Sequence, residues 1–181
     1  MLLRADSLAS THAIAAALAR LARVGDVIVL AGEMGAGKTA FAQGFGRALG
    51  VSEPITSPTF TLVHSYPCDG KLTLHHADLY RLDRMIDVEE LALHELAEFG
   101  GVVLIEWGDV AAANLGDHLE IRLRRDHDVP DDVTDETVDD TADDADEFGL
   151  DTSRLIELHT TGNSWAGRWD RVITVLEPYR C

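Results

Sequence analysis

The chain has 181 residues, 46% of them hydrophobic, so it can enclose one core without disulfides or metal ions to hold it together. It carries 32 acidic and 15 basic side chains, and its formal net charge of −17 argues against direct binding to nucleic acid or to an anionic membrane surface. The two cysteines, Cys68 and Cys181, lie far apart, which argues against a disulfide framework and against a Cys-x-x-Cys metal site.

The beginning of the chain does not resemble a targeting segment. Arg4, Asp6 and His12 interrupt the first twenty residues, so the sequence predicts no signal peptide. No apolar run approaches the roughly 20 residues that a membrane helix needs. We therefore expect a cytoplasmic protein.

The negative charge is concentrated in one segment. Thirteen acidic residues and no Lys or Arg lie between Asp126 and Asp151, and the rest of the chain has 19 acids, 15 bases and a net charge of −4. The segment has too few aliphatic and aromatic side chains to offset the entropy cost of ordering. The composition predicts a disordered acidic loop over residues 126–153, which serves either as a solvated tether or as an electrostatic contact to a basic partner.

The first half of the chain alternates helix and strand patterns. Apolar spacing predicts a helix from Ser10 or Thr11 to Arg23. The aliphatic run 27–30 predicts a strand buried on both faces, which is typical of a parallel sheet. A glycine-rich turn over 32–37 and a helix to about Leu49, ended by Gly50, follow.

The middle of the chain predicts a hairpin and a second buried strand. Residues 60–66 and 72–76 have strand patterns, and the turn residues 67–70 join them. A helix is predicted over 88–99, and the apolar run 102–105 predicts the second buried strand.

The end of the chain predicts an antiparallel pair and a closing helix. Residues 119–123 and 155–159 alternate as strands, and 165–176 fit a helix. The fold class is therefore α/β: one domain over residues 1–181, with a mostly parallel central sheet, an antiparallel hairpin portion and helices on both faces.

The glycine-rich turn carries the strongest functional signal. Residues 32–39, Gly-Glu-Met-Gly-Ala-Gly-Lys-Thr, match GxxxxGK[ST] and stand between a buried strand and a helix, where this motif must stand. Backbone amides and the helix dipole bind phosphate in such loops. Lys38 would bridge the β- and γ-phosphates of a nucleotide, and the Thr39 hydroxyl would bind Mg²⁺.

Two carboxylates are candidates for the metal and for orienting water. In nucleotide hydrolases with this loop, the metal-binding acid ends an apolar strand beside the loop-bearing one. Glu106 ends the run 102–105 and is the first candidate, and Asp78 is the second.

Three further groups of residues carry weaker signals, and each has a structural interpretation. Residues 57–61, Ser-Pro-Thr-Phe-Thr, either form a proline turn, which their spacing alone favours, or a loop that senses the γ-phosphate. His75 and His76 point to opposite faces of a strand, so we expect partly exposed structural histidines, not a chelating pair. Trp165 and Trp169 are expected in the core or at an interface, on one helix face.

Four motifs taken together resemble the TsaE (YjeE) family, the small bacterial ATPases of tRNA threonylcarbamoyladenosine biosynthesis. They are the P-loop at 32–39, Thr-Ser-Pro-Thr-Phe-Thr at 56–61, Asp-Leu-Tyr-Arg-Leu at 78–82 and Ile-Glu-Trp at 105–107. The P-loop is shared with many proteins, whereas the other three in this order are more specific.

The resemblance implies a mechanism and partners. Family members bind ATP and Mg²⁺, hydrolyse ATP slowly alone, and reset the TsaB–TsaD pair that transfers threonylcarbamoyl to tRNA. TsaB-like and TsaD-like partners are therefore implied, with tRNA reached indirectly and with no DNA or membrane partner. The implied nucleotide-binding residues are Thr11, Gly35, Ala36, Gly37, Lys38, Thr39, Ala40, Thr59 and Trp107. The implied catalytic residues are Lys38, Asp78 and Glu106, and the implied metal ligands are Thr39, Asp78 and Glu106.

Three departures from the family pattern stand out. Ala40 replaces a second hydroxyl residue, which removes one hydrogen bond to the α-phosphate. Ala77 replaces a Phe that often precedes the Asp of the third motif, and the acidic segment replaces a short hairpin connection.

Two other functions are compatible with the P-loop. A small-molecule kinase would usually need an Arg-bearing lid, and the long acidic segment contains no Arg. A nucleotide switch would signal through its bound state alone. No convincing arginine finger is visible, although Arg81 is a candidate that a partner would supplement or replace.

Overall fold

The computed structural model describes residues 1–58, 61–70, 72–80, 92–108, 115–126 and 153–181. The predicted acidic loop, apart from its ends at Asp126 and Ser153, lies outside the described residues, as does the predicted helix before residue 92. Among the described residues, no helix has both the length and the apolarity that crossing a bilayer requires.

A seven-stranded mixed sheet organises the described part of the chain. Its strands are β1 (Leu2–Ala5), β2 (Val27–Ala31), β3 (Val63–Pro67), β4 (Thr73–Asp78), β5 (Gly101–Glu106), β6 (His118–Arg125) and β7 (Arg154–Thr161). Their order is β1-β7-β6-β2-β5-β4-β3. The central pairings β6–β2, β2–β5 and β5–β4 are parallel, and the outer pairings are antiparallel.

Helices cover both faces of this sheet. They are α1 (Leu8–Ala19), α2 (Lys38–Ala48), α3 (Leu93–Glu98) and α4 (Trp169–Leu176). Alternate residues of β2 enter different clusters: Ile28 and Leu30 pack with α1, α2 and α4, whereas Val27 and Val29 pack with α3. Two-sided burial explains the continuous aliphatic run, and the predicted α/β fold class is confirmed.

Several element boundaries differ from the sequence prediction. Helix α1 begins at Leu8 and not at Ser10, because the Ser7 hydroxyl accepts the Ser10 N–H at 3.1 Å and caps the first turn. It ends at Ala19 and not at Arg23. Strand β3 begins only at Val63, because Thr61 and Leu62 form a turn in which Leu62 has a φ of 63°.

Two further differences lie at the ends of the chain. Strand β1, which the sequence patterns did not predict, pairs antiparallel with β7. The closing helix is a short 3-10 turn over Ala166–Arg168 followed by α4 from Trp169. Trp165 is nevertheless fully buried and Trp169 packs against the larger cluster, so both indoles lie in or on the core.

Candidate functional site

The P-loop joins the carboxyl end of β2 to the first turn of α2. Gly37 caps the helix with a φ of 105°, a left-handed conformation that strains any residue with a Cβ. Gly32 has a φ of 132°, and a Cβ there would collide with the backbone oxygen of Leu123 in β6. Since a helix leaves the first-turn amides without partners inside the helix, the loop presents a positive, glycine-lined cradle.

The parallel strands bring the predicted acids to this cradle. Glu106 ends β5 beside β2, and in the β4–β5 register it stands opposite Asp78. The carboxyl ends of neighbouring parallel strands share one edge of the sheet, which is the usual ligand-binding edge of α/β folds. Both carboxylates are buried, at 3% exposure each.

One cavity contains most of the predicted residues. It has a volume of about 470 Å³, and its lining includes Gly35, Gly37, Lys38, Thr39, Ala40, Ser57, Asp78, Tyr80, Glu106 and Trp107. A volume of this size falls within the range typical of small-molecule sites.

Lys38 lies against the loop and an aromatic ring. Its Nζ donates hydrogen bonds to the backbone oxygens of Gly32 at 2.7 Å and Glu33 at 2.8 Å. The same Nζ lies 3.6 Å from the centroid of the Trp107 ring, a cation–π contact. These contacts hold the positive charge at the wall of the cavity.

Trp107 has an unusual backbone that explains its position. Its φ of 60° is left-handed, and its N–H donates to the Leu30 oxygen at 3.0 Å, so the chain turns across the end of β2 immediately after Glu106. The Tyr80 ring lies 4.9 Å from the Trp107 ring. The two aromatic residues therefore form one side of the cavity.

Thr39 and Glu106 form the pair that suits a divalent cation. The Thr39 hydroxyl lies 3.0 Å from Oε1 and 3.1 Å from Oε2 of Glu106. Oxygen ligands of this kind suit Mg²⁺, which usually takes one or two protein groups and completes its shell with phosphates and water. Among the described residues, no group of three His, Cys, Asp or Glu side chains is placed to hold a metal ion alone. The pair thus fits a metal that arrives with a nucleotide.

Asp78 connects the acids to the loop before β3. Its Oδ2 accepts a hydrogen bond from the Ser57 hydroxyl at 2.7 Å, and its Oδ1 accepts the Tyr80 N–H at 2.9 Å. The hydroxyl loop therefore reaches the site through Ser57. Thr59, the residue singled out from the sequence, lies outside the described residues, as does Arg81.

Thr11 and Ala36 lie outside the cavity lining. Thr11 is buried in the first turn of α1, where its hydroxyl donates to the Ser7 oxygen at 3.2 Å. Ala36 is buried in the loop, and its backbone oxygen accepts a hydrogen bond from Arg154 Nε at 2.9 Å. Neither residue lines the large cavity described above.

Two arginines beside the loop were missed by the sequence reasoning. Arg154 begins β7, and Arg125 ends β6, opposite Arg154 in the register. A Cβ on Gly35 would lie 2.7 Å from the Arg125 guanidinium. The sequence did contain a signal for them, because the two arginines stand on either side of the acidic segment. That segment connects β6 to β7, and β6 runs parallel to β2, so the connection lies at the same edge of the sheet as the P-loop.

The two neighbouring histidines have separate environments. The His75 ring lies 2.8 Å from the Ser65 hydroxyl, and burial lowers its pKa. His76 Nε2 lies 2.9 Å from Glu106 Oε1. Both side chains are buried, so the expectation of partial exposure is wrong. The two rings alternate between the faces of β4, and both faces are covered, because Leu74 and Ala77 of the same strand belong to the core clusters on opposite sides of the sheet.

Comparison with known proteins identifies a family. The sequence profile described as "Threonylcarbamoyl adenosine biosynthesis protein TsaE" matches residues 5–133. The Bacillus subtilis tRNA threonylcarbamoyladenosine biosynthesis protein TsaE is 41% identical over 116 residues, which are 64% of this chain and 72% of that protein. The protein of the same description from Treponema pallidum is 44% identical over 99 residues, 55% of this chain and 72% of its own length.

A solved structure agrees with the sequence matches. The crystal structure of Bacillus subtilis YdiB is similar with a TM-score of 0.67 and 30% identity, and the match covers 98% of this chain and 94% of that one. The profile spans well over half of the chain and includes the P-loop, Asp78 and Glu106. The chain therefore belongs to the TsaE family, which takes part in tRNA threonylcarbamoyladenosine biosynthesis.

Proposed function

We propose that the chain is a Mg²⁺-dependent ATP hydrolase that resets a TsaB–TsaD-like complex between rounds of threonylcarbamoyl transfer to tRNA. The observation that supports this most strongly is the hydrogen bond between Thr39 and Glu106 inside a cavity that Lys38 and Asp78 also line. Phosphate-binding, metal-binding and water-orienting groups are thereby within reach of one ligand.

The roles follow from the contacts of each group. The loop amides and Lys38 bind the β- and γ-phosphates and stabilise the negative charge that develops on them. Thr39 and Glu106 hold the cation, which when bound neutralises charge on the phosphate oxygens. Asp78 orients the attacking water, and its hydrogen bond to Ser57 couples this carboxylate to the loop before β3.

The surroundings of the cavity favour partner-dependent activity. Arg125 is exposed beside Gly35, and Arg154 is bonded to the loop at Ala36. A partner that contacts the β6–β7 end would move these arginines relative to the phosphates. We therefore expect slow hydrolysis by the chain alone and faster hydrolysis in the complex.

A phosphate-release assay tests the hydrolase. The wild type should release inorganic phosphate from ATP only with Mg²⁺, and Lys38→Ala should lower this rate about 100-fold or more. The control is Arg171→Ala, which removes an exposed positive charge on α4. Phosphate transferred to a metabolite, or equal rates for the wild type and Lys38→Ala, would contradict the proposal.

A complementation assay tests the pathway role. The chain should co-purify with TsaB-like and TsaD-like proteins when ATP is present, and it should restore modified tRNA in a strain depleted of its own TsaE. Restoration by Lys38→Ala to the wild-type level would separate the pathway role from hydrolysis.

A further inference from the structure

His76 is a fully buried polar side chain that the proposed chemistry has not used. It lies in β4 two residues before Asp78, and its exposure is 0%. Its Nε2 is 2.9 Å from Oε1 of Glu106, a residue that is itself only 3% exposed. The histidine therefore contacts the candidate metal ligand from the interior of the protein.

The direction of this hydrogen bond follows from the chemistry of the two groups. An ionised carboxylate only accepts hydrogen bonds, so the imidazole must donate through an Nε2–H. His76 Nδ1 is buried and has no hydrogen-bond partner among the described residues. A hydrogen on Nδ1 would be a buried donor without an acceptor, so the geometry places the donated hydrogen on Nε2, where Glu106 accepts it.

Glu106 is consequently held from two sides. Oε1 accepts hydrogen bonds from His76 at 2.9 Å and from Thr39 at 3.0 Å, and Oε2 lies 3.1 Å from the Thr39 hydroxyl. A cation bound at Thr39 would replace the Thr39 hydrogen bond, because the hydroxyl oxygen then faces the cation. The bond to His76 would remain and would fix the carboxylate.

We propose that His76 is a positioning residue that holds the Glu106 carboxylate in the orientation needed to bind the cation. The proposal rests on the function proposed above, and it assigns His76 no contact with nucleotide or metal. Hydrogen bonds to metal-binding carboxylates typically change metal affinity about 10- to 100-fold.

The neighbouring histidine provides a matched control. His75 is also buried in β4, but its ring bonds to the Ser65 hydroxyl and lies against Gly101. A variant of His75 removes a buried imidazole and its hydrogen bond from the same strand without touching Glu106. If a substitution damages β4 in general, the His75 and His76 variants should both bind Mg²⁺ more weakly. If His76 acts on Glu106, only the His76 variant should do so.

The experiment measures nucleotide affinity by calorimetry with and without Mg²⁺, using an ATP analogue that is not hydrolysed. His76→Phe keeps a ring of similar size but no donor, and His76→Gln keeps an N–H donor. Mg²⁺ should increase the affinity of the wild type for the nucleotide analogue. We expect His76→Phe to raise the Mg²⁺ concentration that gives half of this increase about tenfold or more, and to leave the nucleotide affinity without Mg²⁺ unchanged. His76→Gln should recover most of the enhancement, and His75→Phe should match the wild type.

Three outcomes would overturn the proposal. They are wild-type Mg²⁺ dependence in His76→Phe, equal losses in His76→Phe and His75→Phe, and no recovery in His76→Gln. If the wild type itself shows no Mg²⁺ enhancement of nucleotide affinity, the proposed function fails, and the wild-type titration alone identifies that case.

A measurement on the wild type covers the possibility that His76→Phe does not fold. In nitrogen NMR of protein with labelled histidines, the His76 ring should carry a slowly exchanging hydrogen on Nε2 and no hydrogen on Nδ1. A His76 ring with its proton on Nδ1 would overturn the proposal without any substitution.

Discussion

Buried charged residues lie at both ends of β2, but their surroundings differ. At the amino end, Asp26 and Arg168 are nearly inaccessible and form a two-pronged ion pair, with one contact of 2.8 Å. At the carboxyl end, Lys38, Asp78 and Glu106 are equally buried but line an open cavity. At the amino end the two charged groups bind each other. At the carboxyl end the charged groups line a cavity that a ligand can fill.

The difference separates stability from function in one strand. The Arg168 guanidinium also donates to the backbone oxygens of Leu21 at 2.7 Å and Ser164 at 3.0 Å, so it joins the start of α4 to the chain before β2. The Lys38, Thr39 and Glu106 contacts instead connect three elements around the cavity. Substitutions at the amino end should therefore lower stability and leave nucleotide binding unchanged. Substitutions at the carboxyl end should lower hydrolysis and leave the protein folded.

The largest effect is expected at the amino end. Arg168→Ala leaves Asp26 as a buried carboxylate without its cation, which should cost about 3–5 kcal/mol in the free energy of unfolding. Urea denaturation measures this loss, and Arg180→Ala, at an exposed ion pair, is the control. Nucleotide affinity at a temperature where the variant is folded should stay near the wild-type value. A stable Arg168→Ala protein that has lost nucleotide binding would reverse the comparison.

The next effect is expected at the carboxyl end. Glu106→Gln keeps the shape of the side chain but removes its charge, so we expect Mg²⁺-dependent hydrolysis to fall about 100-fold while the protein stays folded. Phosphate release under single-turnover conditions measures this. Glu120→Gln, in a half-buried ion pair with Arg122, is the matched control. Full hydrolysis by Glu106→Gln would place the metal-binding carboxylate elsewhere.

The sequence was sufficient to predict the elements and side chains that line this cavity where the signals are local. The run 27–30, the glycines and Lys38 are contiguous, so strand, loop and helix could be predicted together. Glu106 was found because an apolar run ends there, and parallel pairing then brought it beside the loop.

The sequence was insufficient where the contacts are long-range. Strand β1 is four residues long and is defined by pairing with β7, far away along the chain. The contact of Arg154 with Ala36 spans 118 positions and depends on the β6–β7 hairpin closing over the loop. The burial of His76 depends on what covers β4, which alternation along one strand cannot reveal.

A smaller effect is expected at Ala40. This residue lines the cavity in the first turn of α2, and a hydroxyl there would add one hydrogen bond to a bound phosphate. Ala40→Ser should tighten nucleotide binding by about 1 kcal/mol, roughly fivefold, as calorimetry can measure. Ala16→Ser, half-buried on α1, controls for the added hydroxyl. Unchanged affinity would mean that the phosphates lie away from this turn.

The smallest effect is a pH dependence of stability. Burial lowers the pKa of His75, and burial together with Arg47 lowers the pKa of His12. Below the ordinary histidine pKa of 6.5, the unfolded chain therefore binds more protons than the folded chain does. The contribution of these histidines to the free energy of unfolding is complete above that pH and is lost as the pH falls below it. Urea midpoints should fall on acidification, and less so in His75→Gln than in a variant of the exposed His159. Equal slopes in the two variants would remove His75 from this account.

The most direct test of the central claim is a crystal of the wild type grown with Mn²⁺ and a non-hydrolysable ATP analogue. We expect an anomalous peak in contact with Thr39 Oγ1 on the Glu106 side of the cavity, with the phosphates in the loop beside Lys38. A nucleotide bound without metal at Thr39, or a metal bound away from both Thr39 and Glu106, would contradict the central claim.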